Sequence, residues 1–338
     1  MRKLNKSIVF ILVLLVTFSC RPKGEDAPYT RLAGKVYGTF YNIVYQHPDG
    51  KELQEDIEAL FAEFDLSLST FNPHSVISRI NSNDPEVRVD DYFRVMYRQA
   101  LEVSVLTNGA FDITVAPLVN AWGFGFGKQQ RDSSPAVEEL MQFIGYQKIS
   151  LKKDRIIKEK PDIMLDASAI AKGQATDVIA KLLDAHGCRN YLVEIGGEVM
   201  CKGVNPHGDH WRIGIDKPVD EPVKVSNELQ LIVQLSGVGL ATSGNYRQFY
   251  NRDGKKYAHT IDPRTGYPVD HQLLSATVIA PNCMKADAFA TAFMVLGKDS
   301  ALLLSKQLDG IECYLIYNNS EGQLDVAYSD GFQKYITN

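Results

Sequence analysis

Apolar residues recur at helical spacing in several stretches of the chain. Leu53, Ile57, Leu60, Phe61 and Phe64 share one helical face, with acids on the opposite face. A second amphipathic helix spans 91–106, and Thr107-Asn108-Gly109 supplies its stop signal. Val137, Leu140, Met141 and Ile144 predict a third. Ala175, Val178, Ile179, Leu182 and Leu183 predict a fourth after Gly173, closed by His186-Gly187, and the nearly all-apolar run 286–296 predicts a buried helix. Shorter β-like runs lie at 149–152 and 156–158, about a Lys153-Asp154 turn, and at 191–195, 211–215, 229–235 and 275–279. Two more, at 314–317 and 324–328, flank a Glu321-Gly322 turn. Helices and strands follow no regular βαβ alternation, so the pattern predicts an α+β body rather than a doubly wound sheet.

The first residues read as an address. Arg2, Lys3 and Lys6 precede an apolar run over 8–18, interrupted only by Thr17. A charged segment followed by an apolar one is the pattern of a secretory signal. The run is shorter than the roughly 20 residues that span a bilayer. It ends in Thr17-Phe18-Ser19-Cys20, which resembles a bacterial lipobox with Thr17 where leucine is usual. The expectation is a signal peptide over 1–19 and a lipid, palmitate included, on Cys20. That implies an extracytoplasmic lipoprotein held to a membrane, first expected on the periplasmic face of the inner membrane and second on the outer membrane. An ordinary secretory signal with a coincidental cysteine is the alternative. Residues 20–34 carry Pro, Gly and charge without periodicity and read as a tether to a body over 35–338.

Composition narrows the classes further. The 338 residues are 45% hydrophobic, enough for a sizeable core, and carry a net charge of −5, so they lack the basic excess that draws a chain onto nucleic acid. Cys188, Cys201, Cys283 and Cys313 form no CxxC pair, which leaves zinc and thioredoxin-type motifs unsupported. Buried free thiols are the simplest reading. The stretch 130–136 is the best candidate for a surface connection.

Four segments concentrate polar chemistry. In 257–266, Asp262-Pro263 starts a turn and Gly266 permits positive φ, so a tight loop after a strand holds His259 at a cleft edge or simply exposes it. In 165–173, small residues surround Asp166 and Lys172 just before a helix; backbone there can approach a ligand, and the lysine can neutralise a phosphate. A close helix–sheet contact with an exposed lysine fits equally. In 108–125, Trp122 lies beside glycines and phenylalanines, which suits either a flat-ligand pocket or plain packing. In 285–292, Asp287 and Thr291 share a helical face within an apolar stretch. A buried carboxylate needs a partner or a metal, and oxygen donors suit a hard cation such as Mg²⁺. Neighbouring backbone amides would satisfy it as well.

Taken in order, these segments resemble the ApbE family, the FAD:protein FMN transferases. Gly38-Thr39, Ser69-Thr70-Phe71, Ser78-Arg79-Ile80-Asn81, the segment 109–125, Asp166 to Gly173, Glu194-Ile195-Gly196-Gly197-Glu198, His259 to Gly266 and Asp287 to Thr291 carry the resemblance. It implies a two-lobed, T-fold-like body, with mixed sheets packed against helices and the flavin site between the lobes. It also implies Mg²⁺-dependent transfer of FMN from FAD, through a phosphoester bond, to a threonine or serine hydroxyl of an acceptor protein, with release of AMP. The acceptors would be membrane-associated redox subunits. By the family pattern, Asp287, Thr291 and the Ala169 carbonyl would hold Mg²⁺. FAD would be met by Tyr37, Ala110, Phe111, Asp112, Asp166, Lys172 and His259, and His259 and Asp287 are the candidates for proton transfer. Tyr37 stands where methionine is common, and Glu194 where some relatives carry asparagine. A Mg²⁺-dependent FAD pyrophosphatase, a non-catalytic FAD-binding lipoprotein and a peptide-binding or structural lipoprotein are the rival readings, the last leaving the whole motif set unexplained.

Overall fold

The structure, a computed structural model, describes residues 27–126, 136–218, 229–245, 249–252 and 255–337. The expected signal peptide, Cys20 and all but Ala136 of the expected connection at 130–136 lie outside the described residues. The strands are β1 (Tyr29–Val36), β2 (Thr39–Gln46), β3 (Ile149–Lys152), β4 (Arg155–Lys158), β5 (Asn190–Ile195), β6 (Glu198–Lys202) and β7 (Trp211–Asp216). They continue as β8 (Leu229–Leu235), β9 (Val238–Gly244), β10 (Phe249–Arg252), β11 (Lys255–Ala258), β12 (Leu273–Ala280), β13 (Glu312–Asn318) and β14 (Leu324–Tyr328). The helices are α1 (Gln54–Leu68), α2 (Val76–Asn81), α3 (Asp91–Leu106), α4 (Ala116–Ala121), α5 (Val137–Leu140), α6 (Ala171–Ala185), α7 (Cys283–Leu296) and α8 (Lys298–Ser305).

An eight-stranded sheet runs in the order β1-β2-β5-β6-β9-β12-β13-β14, and β3–β4, β7–β8 and β10–β11 form separate hairpins. Its side chains alternate between two cores, as strand geometry demands. Ile43 and Tyr45 of β2, Tyr191 and Val193 of β5, and Ala276 and Val278 of β12 face the larger core with α1, α3, α6 and α7. Val44, Leu192, Ile279, Tyr314 and Ile316 face the other way, onto Trp211, Val233, Leu235 and Phe332. A third, small core joins Leu118, Trp122, Val137, Ile144 and Ile261. The body is α+β as expected, with sheets packed against helices, and among the described residues every strand pairing is antiparallel.

Two expectations about boundaries change. Residues 29–34, expected in the tether, belong to β1, which pairs with β2 from Tyr29–Gln46 to Val36–Thr39. The two-residue turn Tyr37-Gly38, both with positive φ (50° and 74°), closes that hairpin. The helix expected through Val137 and Ile144 is a single α-turn followed by a 3-10 turn at Met141–Phe143. Val137 and Ile144 reach the small core within that span, and Gly145, at φ 140°, then turns the chain away.

Candidate active site

Asp287 sits in the first half of α7, buried to 5% exposure. α7 starts at Cys283 because the Asn282 side chain accepts from the Lys285 amide at 2.8 Å. From α6, Asp177 reaches across and accepts from the amides of Cys283 and Met284, each at 2.9 Å. The two helices meet closely where Gly173 lacks a side chain: a Cβ there would lie 2.5 Å from the Cys283 carbonyl oxygen and 2.8 Å from the Asp287 Cβ. At that crossing the Gly173 amide donates to Asp287 Oδ2 at 3.0 Å. α6 begins at Ala171, so this amide is a first-turn donor with no partner inside the helix, and Asp287 supplies one. The Ala169 carbonyl lies two residues before the helix.

Lys172, one residue earlier, pairs with Oε1 of Glu198. Glu198 opens β6 just after the Gly196-Gly197 turn, and its side chain is 5% exposed against 33% for Lys172. Burial alone would favour a neutral Lys172, but the carboxylates of Asp287 and Glu198 outweigh it and hold its pKa above the ordinary lysine value. Burial pushes Glu198 up; the Lys172 charge opposes that and Asp287 adds to it. Burial likewise raises Asp287, against Lys172 and the Gly173 amide. Two acids and one ammonium thus share a buried corner, leaving a net charge of −1 when all are ionised.

Hydrogen bonds draw the remaining motif segments toward this corner. The Asp166 amide donates to the Ile113 carbonyl at 2.7 Å. Asp166 Oδ1 accepts from the Ser168 amide at 2.8 Å, and the Ser168 hydroxyl donates to the same oxygen. Asn81 clasps the neighbouring Leu165, accepting from its amide at 2.7 Å and donating to its carbonyl at 2.9 Å. Asp112 is committed to structural donors: Oδ1 accepts from the Thr114 amide and hydroxyl, and Oδ2 from the Tyr146 amide at 2.7 Å. Burial raises the Asp112 pKa, against those three donors. Ala110 and Phe111 precede it and are buried. Trp122 Nε1 donates to the Gly266 carbonyl at 2.9 Å, and the Phe124 ring meets the half-buried His259 edge-on with centroids 6.3 Å apart. Arg264 is held by Asp262 beside Gly109.

The structure therefore joins Asp166, Ala169, Lys172 and Asp287 through α6 and its crossing with α7, and joins Ala110, Phe111, Asp112 and His259 through the Trp122–Gly266 contact. Thr291 is half-buried one turn after Asp287. Tyr37 occupies the β1–β2 turn; its hydroxyl donates to the Phe61 carbonyl at 2.9 Å, and its ring packs on Phe61 and Phe64. A carboxylate with one amide donor, a carbonyl just before a helix and a hydroxyl are all hard oxygen donors, which fits Mg²⁺ with positions to spare. The sequence placed Glu198 in a motif but gave it no role. A charged residue directly after a Gly-Gly turn at the start of an apolar strand was the available signal.

The comparisons with known proteins agree with this arrangement. A protein named FAD:protein FMN transferase from Haemophilus influenzae is 35% identical, across 99% of this chain and 98% of its own. One of the same name from Vibrio cholerae is 36% identical, across 98% of each. Among solved structures, the flavin transferase ApbE from Vibrio cholerae superposes with a TM-score of 0.82 at 34% identity, over 91% of this chain and 99% of its own. The apo flavinyl transferase ApbE from Pseudomonas stutzeri gives 0.80 at 33% identity, over 91% and 96%. The ApbE family matches residues 37–315, a span that contains every site residue described above, and the chain belongs to that family.

Proposed function

We propose that this chain is an FAD:protein FMN transferase that cleaves the pyrophosphate of FAD in a Mg²⁺-dependent reaction. FMN passes to a threonine or serine hydroxyl of an acceptor protein, and AMP leaves. The observation that carries this reading is a buried carboxylate, Asp287, that accepts the Gly173 amide at the α6–α7 crossing, with the Lys172 and Ala169 segment leading into that crossing. Asp287, Thr291 and the Ala169 carbonyl would hold the cation. Bound there, Mg²⁺ would neutralise charge on the pyrophosphate oxygens as the bond to AMP breaks.

The chain's own groups account for the rest. Lys172 keeps its charge in the buried corner and would meet a phosphate oxygen. Asp166, with its carboxylate oriented by Ser168, and the 110–112 backbone would fix FAD where the segments converge, between the α6–α7 crossing and the Trp122–Gly266 loops. His259, held against Phe124, would take the proton from the acceptor hydroxyl as its oxygen bonds to the FMN-side phosphorus. Asp287 is the poorer base when its oxygens face a cation. The leader over 1–19 and Cys20 support a lipid-anchored, extracytoplasmic protein with membrane-associated acceptors and a folded body over most of 35–338, joined by β1.

The test incubates the chain with FAD, Mg²⁺ and a threonine-containing acceptor domain, following covalent flavin fluorescence on the denatured acceptor and AMP together. Matching, EDTA-sensitive signals are expected, and Asp287→Ala is expected to lose both while its thermal melt stays cooperative. FMN and AMP without labelling would replace transfer by hydrolysis. Full transfer by folded Asp287→Ala would remove the metal assignment.

A further inference from the structure

Lys172 lies in the field of two buried carboxylates and is bonded to one of them. Its ammonium pairs with Glu198, whereas Asp287 acts on it only through space and receives the Gly173 amide. The Gly196-Gly197 turn makes that choice. At Gly196 (φ 64°) a Cβ would lie 2.9 Å from Thr39 Cγ2 and 3.3 Å from Lys172 Cδ, so the lysine stem runs along the turn and its head meets the first residue of β6. Glu198 is 4% exposed, and its second oxygen, Oε2, is buried without a hydrogen-bond partner. An unsatisfied buried oxygen destabilises the fold, and an apolar side chain would be tolerated better at that point. The position of Lys172 is what this carboxylate changes.

Building on the cation reading above, we propose that Glu198 is a positioning residue that diverts the Lys172 ammonium from Asp287 and so keeps the Asp287 carboxylate open to Mg²⁺. An ammonium in a low-dielectric corner binds the nearest available carboxylate. With Glu198 charged, that carboxylate is Glu198, and the corner keeps the net negative charge that attracts a divalent cation. With Glu198 neutral, Lys172 turns to Asp287, and the ammonium and Mg²⁺ compete for the same oxygens. Either pairing leaves other N–H donors of the Lys172 ammonium to meet phosphate, so the effect falls on cation affinity before it falls on FAD.

The experiment titrates Mg²⁺ calorimetrically into the full chain in detergent, as wild type, Glu198→Gln, Lys172→Met and the double variant, with thermal melts on each. Glu198→Gln is expected to weaken Mg²⁺ binding by about tenfold or more, the order of effect that groups around a metal's ligands have on its affinity. In the Lys172→Met background the same change is expected to cost clearly less, because no ammonium is left to divert and only the loss of the Glu198 charge remains. Should Glu198→Gln fail to fold, the comparison of Lys172→Met with the double variant still decides. Unchanged affinity in Glu198→Gln, or an equal loss in both backgrounds, would overturn the proposal. A wild-type chain without measurable Mg²⁺ binding, or Asp287→Ala binding as wild type does, would overturn the cation reading instead.

Discussion

Trp122 donates its indole N–H to the carbonyl of Gly266 at 2.9 Å, a bond between residues 144 apart in sequence. It fastens the 109–125 segment to the loop that carries His259. Gly266 has φ 81°, and a Cβ there would collide with Val137 and stand 3.3 Å from Leu118, so the carbonyl is presented from a turn that only glycine fits well. Trp122→Phe keeps most of the apolar contact and leaves that carbonyl unpaired. It is expected to cost about 1–3 kcal/mol of stability and to weaken FAD binding. Urea midpoints and FAD fluorescence titration on one preparation check both, and an unchanged FAD affinity would separate this tie from the flavin site.

Gly173→Ala sets two effects against each other. Alanine favours a helix interior over glycine by about 1 kcal/mol, yet the new Cβ would stand 2.5 Å from the Cys283 carbonyl oxygen. Overpacking of this kind costs about 1–3 kcal/mol, and the helices cannot part without breaking the hydrogen bond that the Gly173 amide donates to Asp287. Net destabilisation, a lower melting temperature and loss of Mg²⁺-dependent transfer are expected. A more stable and fully active variant would show that the α6–α7 crossing yields easily.

The sequence showed the helices better than the sheet, for physical reasons that differ by element. α3 was legible at both ends because its apolar face is periodic and Thr107-Asn108-Gly109 stops it. β1 was not, because Pro and charge before it look like a linker, and its hairpin turns on Tyr37-Gly38 rather than on an Asn-Gly pair. Val238–Gly244 is a short central strand whose partners, β6 and β12, both lie far along the chain, and Glu198–Lys202, closed onto β5 by the Gly196-Gly197 turn, takes its second partner, β9, from as far away. In the site, Asp287 and Lys172 stood out as charges among small or apolar residues. That Lys172 pairs with Glu198, and that Asp112 receives the Tyr146 amide, depends on contacts across the fold.

Asp177 gives a pH-dependent test of the same crossing. Burial pushes its carboxyl from 3.8 to about 6, against the amides of Met284 and Cys283. A folded-state pKa above the unfolded one means that the folded chain holds the proton more tightly. The associated stability is therefore fully present below the unfolded value and is lost as pH rises through about 6. Asp177→Asn keeps an acceptor oxygen and does not titrate. The unfolding free energy of wild type relative to Asp177→Asn is expected to fall by roughly 2–3 kcal/mol across that window, read from urea midpoints at successive pH values. A flat difference would mean that Asp177 does not change protonation between the two states.

Asn81 is the remaining tie, and it acts on the other flank of the site. Its amide both donates to and accepts from Leu165, the residue before Asp166, so one side chain pins the backbone that presents that carboxylate. Asn81→Ala leaves both Leu165 groups without this partner, and Leu165 itself is fully buried, so water does not readily replace it. The expected cost is about 1–3 kcal/mol of stability, with weaker FAD binding and unchanged Mg²⁺ affinity, because Asp287 is held separately by Gly173. Calorimetric titration of each ligand into Asn81→Ala measures the split. Equal losses for FAD and Mg²⁺ would mean that the two flanks move as one unit, and that the Asn81 clasp supports the cation donors as well as the flavin contacts.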